Sequence, residues 1–372
     1  MANRLPSNVI QFAAGDTSVF DMFTDYWNQY RSENGDKKYN FSTVDASGKA
    51  ISFAEKELAL NAKIRAEISK RSGVEFGINT PVEQVANHPL VVWAATNLVS
   101  QMIEAVLPDT IIDSIGPYTE VRNLGWGESA VFQVNSRDLF RVSRSGRMGM
   151  KSAEQQREAY GMITLNPEQR EITVGVSLFR LLCGMDSLAR LTTKALRSIE
   201  TEMTRDAYDA MATAMAALST TATTGLRVVG YTQADLVKLA QKVSAFSGGA
   251  KPVVLGTKVA LSQILPDDAN YRYDVESPYI KLGYMRTIAG IDVLELPQVA
   301  NWNSPFSTYL SDSKLWVVAP GQDKILKMVI GGMMSNTTGT FDAATLTQET
   351  TFYKLWKVGV VTSSLAAEIS LA

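Results

Sequence analysis

Between residues 186 and 218 apolar side chains return every third or fourth position: Leu188, Leu191, Ala195, Ile199, Met203, Ala207, Met211, Ala214 and Leu218. That period places them on one stripe of an α-helix. The opposite side carries Arg190, Lys194, Arg197, Glu202, Arg205 and Asp209. Asp186, just after Gly184, is the expected N-cap, since its carboxylate can accept from the open first-turn N–H groups. No Pro or Gly follows until Gly225. At ~1.5 Å per residue the helix would be on the order of 50 Å long, far beyond the usual globular length. A helix of that length needs a long partner surface, so it is the expected backbone of the fold.

Upstream, 18–30 is amphipathic, with Phe20, Phe23 and Trp27 expected on one side. After a charged break, Ser52 and Glu55 have capping-box spacing. The helix they open is expected to continue through Leu58, Ala62 and Ile64 and to stop at Gly73. Polar loops separate these helices, which predicts an extended arm. From Pro89 a nearly all-apolar helix follows, expected to be buried and to end at Pro108.

Between 118 and 180 the period drops to two. The stretches 118–124, 129–135 and 170–179 each alternate as half-exposed strands do. Between the last two lies a polar, basic, Gly-containing run, so the segment predicts a projecting β-hairpin with too little apolar surface to fold alone. Downstream of the long helix come a short strand at 226–231 and a helix opened by Thr232 and stopped at Gly248 and Gly249. A mixed α/β lobe runs to Asn336, and a closing strand covers 349–364.

Composition narrows the class. The chain has 372 residues, 45% hydrophobic and 20% charged, with a formal net charge of −2. These are ordinary globular values, and the charge gives no general attraction to nucleic acid or to an anionic membrane. One Cys rules out intrachain disulfides and multi-cysteine zinc clusters, and fits a reducing compartment. The N-terminal residues lack the pattern of a signal peptide, and no run of ~18 apolar residues predicts a membrane span.

The order of parts (helical arm, hairpin, very long amphipathic helix, second helix, α/β lobe, returning strand) resembles that of the major capsid proteins of tailed bacteriophages. Herpesvirus shells and encapsulins share that fold. The turn from Gly283 to Pro297 carries part of the resemblance. The resemblance implies an α+β fold: an N-terminal arm at 1–86, a peripheral domain at 87–117, 181–249 and 337–372 that includes the spine helix, an extended β-hairpin loop at 118–180, and an axial domain at 250–336. It implies a structural protein that self-assembles into hexamers and pentamers of an icosahedral head around double-stranded DNA. No cofactor or metal is implied. The implied partners are further copies of the chain, a portal, scaffold or decoration proteins, and packaged DNA in non-specific contact, with no membrane. The place is the virion, assembled in the host cytoplasm. An encapsulin-type compartment, or an enzyme with its site at 251–336, are the alternatives.

Candidate chemistry is sparse. His88 is the only histidine and flanks a helix start, where acid–base work would need an oriented partner. Cys183 reads as a small buried hydrophobe, not a nucleophile. Gly125–Gly127 and Gly331-Gly332 are too short for phosphate loops and read as turns. Asp267, Asp268, Asp274 and Glu276 lack calcium-loop spacing. Met333-Met334 and Met148 with Met150 read as gap-filling contacts. The hairpin tip carries Arg141, Arg144, Arg147 and Lys151 with no acid from Leu139 to Ala153. DNA phosphate could hold these groups, but few aromatics accompany them. Carboxylates of a neighbouring subunit, which Arg grips bidentately, are the preferred partner.

Overall fold

The computed structural model describes residues 12, 17–34, 39–45, 47–75, 88–115, 118–125, 127–135, 140, 142, 155–157, 160–176, 180, 186–218, 220, 225–264, 282–301, 304, 306–319, 324–342, 347–361 and 366–371. Its helices are α1 (Val19–Glu33), α2 (Phe53–Ser72), α3 (Pro89–Ile115), α4 (Leu188–Ala216), α5 (Gln233–Phe246) and α6 (Lys258–Ser262). Its strands are β1 (Thr119–Asn123), β2 (Ala130–Asn135), β3 (Tyr160–Leu165), β4 (Glu168–Val176), β5 (Arg227–Val229), β6 (Val253–Gly256) and β7 (Thr287–Ile288). They continue as β8 (Ile291–Glu295), β9 (Ala300–Asn301), β10 (Ser307–Thr308), β11 (Lys314–Val318), β12 (Leu326–Asp342), β13 (Thr347–Val360) and β14 (Ala366–Ser370). This is a mixed helix and sheet architecture. It divides into two compact units: Met1–Ile111 with Glu168–Glu200 and Gly331–Trp356, and Ile112–Pro167 with Thr201–Ile330 and Lys357–Ala372.

In the first unit α1 begins at Ser18, whose hydroxyl accepts the Asp21 N–H at 3.1 Å. It is buried more widely than a one-sided amphipathic helix: Met22, Phe23, Tyr26 and Trp27 are inside, as are Asp25, Gln29 and Arg31. α2 starts at the expected capping box of Ser52 and Glu55 and stops at Gly73, whose φ of 69° is the left-handed cap glycine adopts cheaply. Its buried face steps by four through Lys56, Leu60, Ile64, Ile68 and Ser72. Leu58 and Ala62 therefore point outward, and Leu58 is 71% exposed. The reason is α1, against which α2 packs: the Tyr26 ring stacks on Phe53 at 4.6 Å and fixes which side turns in. α1 and α2 share a core. Within it Lys56 Nζ meets Asp25 Oδ2 at 2.6 Å, with the Phe12 and Phe41 rings 5.1 and 5.2 Å from the amine. Burial pushes the Lys56 amine below its ordinary pKa, and the Asp25 carboxylate opposes that shift.

α3 does not end at Pro108 but runs on to Ile115. Proline removes one N–H from the helix ladder, and the turn before it, with Ile103, Val106 and Leu107 fully packed, holds the helix through the missing bond. Among the described helices α3 alone is long and apolar enough to cross a membrane. Its stripe of Val91, Ala94, Leu98, Met102 and Ile103 is buried inside the protein, as in a core helix. Also in this unit, β4 pairs antiparallel with β13, from Gln348 opposite Val176 to Trp356 opposite Glu168. Gly331 and Gly332, read from sequence as a turn, lie inside β12. A Cβ on Gly331 would sit 2.8 Å from Leu355 Cβ, so the glycine is there to let two strands close up.

In the second unit the main sheet has six strands in the order β5-β14-β11-β6-β8-β7. α5 and α6 cover one face over Val254, Leu315, Val317, Ala367 and Ile369. The turn between β7 and β8 is Ala289-Gly290, both at positive φ, as a two-residue hairpin requires. β14 lies between β5 and β11, a strand that alternation in 366–370 does not announce. Its Glu368 is fully buried, and the sheet neutralises it: Arg227 Nε is 3.1 Å away, Lys314 Nζ 3.9 Å, and the Trp316 indole N–H donates to it at 3.3 Å.

α4 is unbroken, as the periodicity predicts, but it starts two residues later than Asp186. Ser187 is the cap, its hydroxyl accepting the Arg190 N–H at 3.2 Å. Asp186 instead pairs with Arg180 at 3.0 Å.

Candidate functional site

The three alternating stretches, from which a projecting hairpin of two long strands is expected, have three different partners. β1 runs parallel to the start of β12, Thr119 opposite Leu326 and Asn123 opposite Ile330. β4 belongs to β13. The hairpin itself is β2 with β3, Ala130 opposite Leu165 and Asn135 opposite Tyr160. β3 was not singled out from sequence, because Gly161 and Thr164 dilute its alternation. Residues 136–159 link the two strands. They contain Arg141, Arg144, Arg147 and Lys151, all four of which lie outside the described residues.

The base of this hairpin is built in detail. Phe132 is fully buried with Ala130, Leu165 and Val329. Arg122 of β1 lies over its ring, Cζ 4.5 Å from the centroid, and donates to the Val131 carbonyl at 2.9 Å. Lys327 of β12 approaches the same ring at 5.7 Å, and its buried ammonium meets Glu120 Oε2 at 2.5 Å. Arg122 also pairs with Glu120, at 2.9 Å. Burial pushes the Glu120 carboxyl up, but the hydrogen bonds and charges of Lys327 and Arg122 more than reverse this and hold it below the ordinary range. Two cations and one anion therefore clamp an aromatic side chain of β2 from the adjoining sheet. Alternation leaves Val131 and Met162 exposed on the other side of the hairpin. One side is anchored to the adjoining sheet and the other exposes apolar side chains.

A signal for this clamp was present in the sequence. Lys327 interrupts an otherwise apolar strand run, and a charge that must enter a sheet core needs a partner. Its partner Glu120 lies 207 positions away, and only pairing of β1 with β12 reveals it.

The exposed face of α4 turns two of its charges toward α1 and α2. Arg190 pairs with Glu57 of α2 at 3.2 Å, and Arg197 donates to the Tyr30 hydroxyl of α1 at 3.0 Å while lying over its ring. Both arginines remain exposed, with their heads turned to the helices expected to form a separate arm.

The remaining candidates are simply placed. The His88 carbonyl accepts the Val91 and Val92 N–H groups at the start of α3. Cys183, Asp267, Asp268, Asp274, Glu276, Met148 and Met150 lie outside the described residues. Met333 is buried within β12. Among the described residues no group of three or more His, Cys, Asp or Glu side chains is gathered to hold a metal. In α3, Glu104 accepts the Met333 N–H and faces the buried Lys354 amine at 3.8 Å. Burial pushes that amine down against the pull of Glu104. This is a structural pairing of a helix with two strands.

Residues 39–370 match the model of a protein family described as "SPbeta prophage-derived putative capsid protein YonB". No curated protein matches the chain. Similar solved structures include the mature capsid of bacteriophage PhiM1, at 10% identity and a TM-score of 0.45, covering 68% of this chain and 85% of that one. The capsid of cyanophage P-SCSP1u is similar at 15% identity and a TM-score of 0.43, covering 68% and 86%. The capsid of the native GTA particle is similar at 14% identity and a TM-score of 0.45, covering 71% and 90%.

Proposed function

This chain belongs to the YonB capsid-protein family, and on that premise we propose that it is the major subunit of a tailed-phage head, forming hexamers and pentamers of an icosahedral shell around double-stranded DNA. The observation that carries the reading is the family match, which extends from residue 39 to residue 370 and so runs through both compact units. A capsid protein acts by association, so its working parts are surfaces, and its place is the virion. The family favours this over an encapsulin compartment.

In this reading 118–180 is the extended loop, 1–86 the arm, 250–336 the axial domain, and the rest the peripheral domain with its spine helix. The clamp on Phe132 supports the loop assignment: a hairpin that reaches a neighbour must be held firmly at its root. Arg141, Arg144, Arg147 and Lys151 then meet carboxylates of the adjoining subunit, and repetition around a closed shell makes modest pairwise contacts cooperative. Ring contacts between copies are heterologous and close by rotation. Portal, scaffold and decoration proteins are the further partners, packaged DNA is touched without sequence preference, and assembly takes place in the host cytoplasm.

Negative-stain microscopy of the purified, concentrated protein tests the reading. Closed shells, tubes or capsomer rings are the expected result. A monodisperse monomer under every assembly condition would overturn it.

A further inference from the structure

We propose that Phe306 is an apolar anchor by which one copy of this chain grips the next, an inference that rests on the capsid reading above. Phe306 is 108% exposed, beyond even an extended reference chain. It also sits at φ 59°. A bulky aromatic at positive φ is a true outlier, and such strain persists where the surrounding structure imposes it. The other described non-glycine residue at positive φ, Ala289, is small and is explained by its hairpin turn. Phe306 also lies in a hairpin connection, but a bulky ring at that φ carries a cost that glycine would avoid.

The surrounding frame is well built. Phe306 precedes β10 in the short hairpin with β9, where Asn301 faces Ser307 and Ala300 faces Thr308. Inside the loop the Ser304 N–H donates to the Asn301 carbonyl at 3.2 Å, and the Ser307 hydroxyl to the Ser304 carbonyl at 3.1 Å. At the root, Gln298 accepts the Leu310 N–H at 3.1 Å and donates to the Leu310 carbonyl at 3.0 Å. α4 holds both flanks: the Tyr208 hydroxyl donates to the Pro297 carbonyl at 3.3 Å, and the Tyr309 hydroxyl donates to Asp209. Arg205 lies 5.0 Å over the Tyr309 ring. An exposed Phe on a loose tip would be unremarkable. Here the root of the hairpin is fixed on α4, which lowers the ordering cost of a contact made from it.

The chemistry around it selects the partner. From Leu296 to Ser311 the chain has no Asp, Glu, Lys or Arg, and its described residues include the aromatics Phe306 and Tyr309. Its own residues offer no cation to DNA phosphate or an anionic membrane, and the neighbouring Arg205 is engaged by the Tyr309 ring and by Glu202. Depletion of charge with aromatic enrichment is the composition of the centre of a protein interface. In a shell built from one chain, the protein surface presented at every position is that of a second copy.

Phe306→Gly separates this role from a structural one, because glycine suits the positive φ and removes only the ring. The expected result is a folded variant, with a melting temperature equal to wild type or higher, whose critical concentration for shell or capsomer assembly rises roughly ten-fold or more. Phe306→Tyr should assemble close to normally. A photo-cross-linking phenylalanine analogue at position 306 should capture another copy of the chain in particles. If wild type assembles and Phe306→Gly assembles at the same concentration, the anchor is wrong and the capsid reading stands. A marked loss of folding in Phe306→Gly, or cross-links to a different virion protein, would also overturn the anchor. A wild-type chain that never assembles takes both readings down.

Discussion

Asn61 of α2 donates from Nδ2 to the Ser187 hydroxyl at 2.9 Å, across 126 positions of sequence, while its Oδ1 accepts the Ala189 N–H at 3.2 Å. Ser187 in turn accepts the Arg190 N–H. The start of the longest helix is thus capped twice, once by its own chain neighbour and once by the N-terminal helices. That second cap explains why those helices belong to the same compact unit as the first turns of α4.

Asn61→Ala removes one cap and the bond that orients the other. The expected loss is about 1–2 kcal/mol. Hydrogen exchange should quicken at Ala189 and its neighbours before it does elsewhere. Unchanged exchange there would mean that Ser187 suffices alone.

The Lys56–Asp25 pair is fully desolvated, and Asp25 also accepts the Ser42 N–H at 2.6 Å. Lys56→Met strands a buried carboxylate and should cost about 3–5 kcal/mol in denaturant unfolding. Adding Asp25→Asn keeps an acceptor for Ser42 and removes the stranded charge, so most of the loss should return. A double variant as unstable as the single one would contradict this account.

Gly331→Ala places a methyl group against Leu355 in the neighbouring strand and should cost about 1–3 kcal/mol. Gly175→Ala in β4 meets nothing within 4 Å and serves as the neutral control. Equal melting temperatures for the two variants would show that the strands can move apart freely.

Acid should destabilise the protein. Glu55 is held low by the Ser52 N–H, Asp235 by the Thr232 hydroxyl, and Glu120 by Lys327 and Arg122 acting against its burial. Each folded pKa lies below its unfolded value. The stability they contribute is therefore present above about pH 4 and is lost as pH falls through the depressed values. Melting temperatures measured from pH 7 to pH 3 should fall, and Glu120→Gln should reduce the slope. A rising melting temperature on acidification would refute the assignment.

Arg144→Glu with Arg147→Glu should block shell assembly while the subunit stays folded, since reversed charges would face the neighbour's carboxylates. Circular dichroism and microscopy on the same sample check both halves. Normal heads from the double variant would remove the hairpin tip from the interface.

Much of the local structure could be read directly from the residues. The stripe from Leu188 to Met211, the Ser52–Glu55 box, the stop at Gly73 and the Thr232 cap are short-range patterns, and each appears in the structure. The family resemblance was legible as well, because the order of elements is a property of the chain itself.

What the tertiary structure alone decided are the pairings. Alternation marked 118–124, 129–135 and 170–179 as strands but could not say that they join three different partners, since a strand's pattern records which face is buried and not which neighbour it bonds. β14 carries no strand signal because Ala366, Ala367 and Glu368 have little strand character of their own, and Arg227, Lys314 and Trp316 supply what the carboxylate needs inside the sheet. The outward turn of Leu58 followed from α1, and the cap at Asn61 from a contact across 126 positions. Sequence by itself determined the apolar stripe of α4 and the signals at Ser52, Gly73 and Thr232, because those depend on hydrogen bonds and periods within a few residues. Packing decided that α3 continues past Pro108 and which side of α2 turns inward. The clamp on Phe132, the shared core of α1 and α2, and the presentation of Phe306 are sums of long-range contacts, which the packed chain alone brings together.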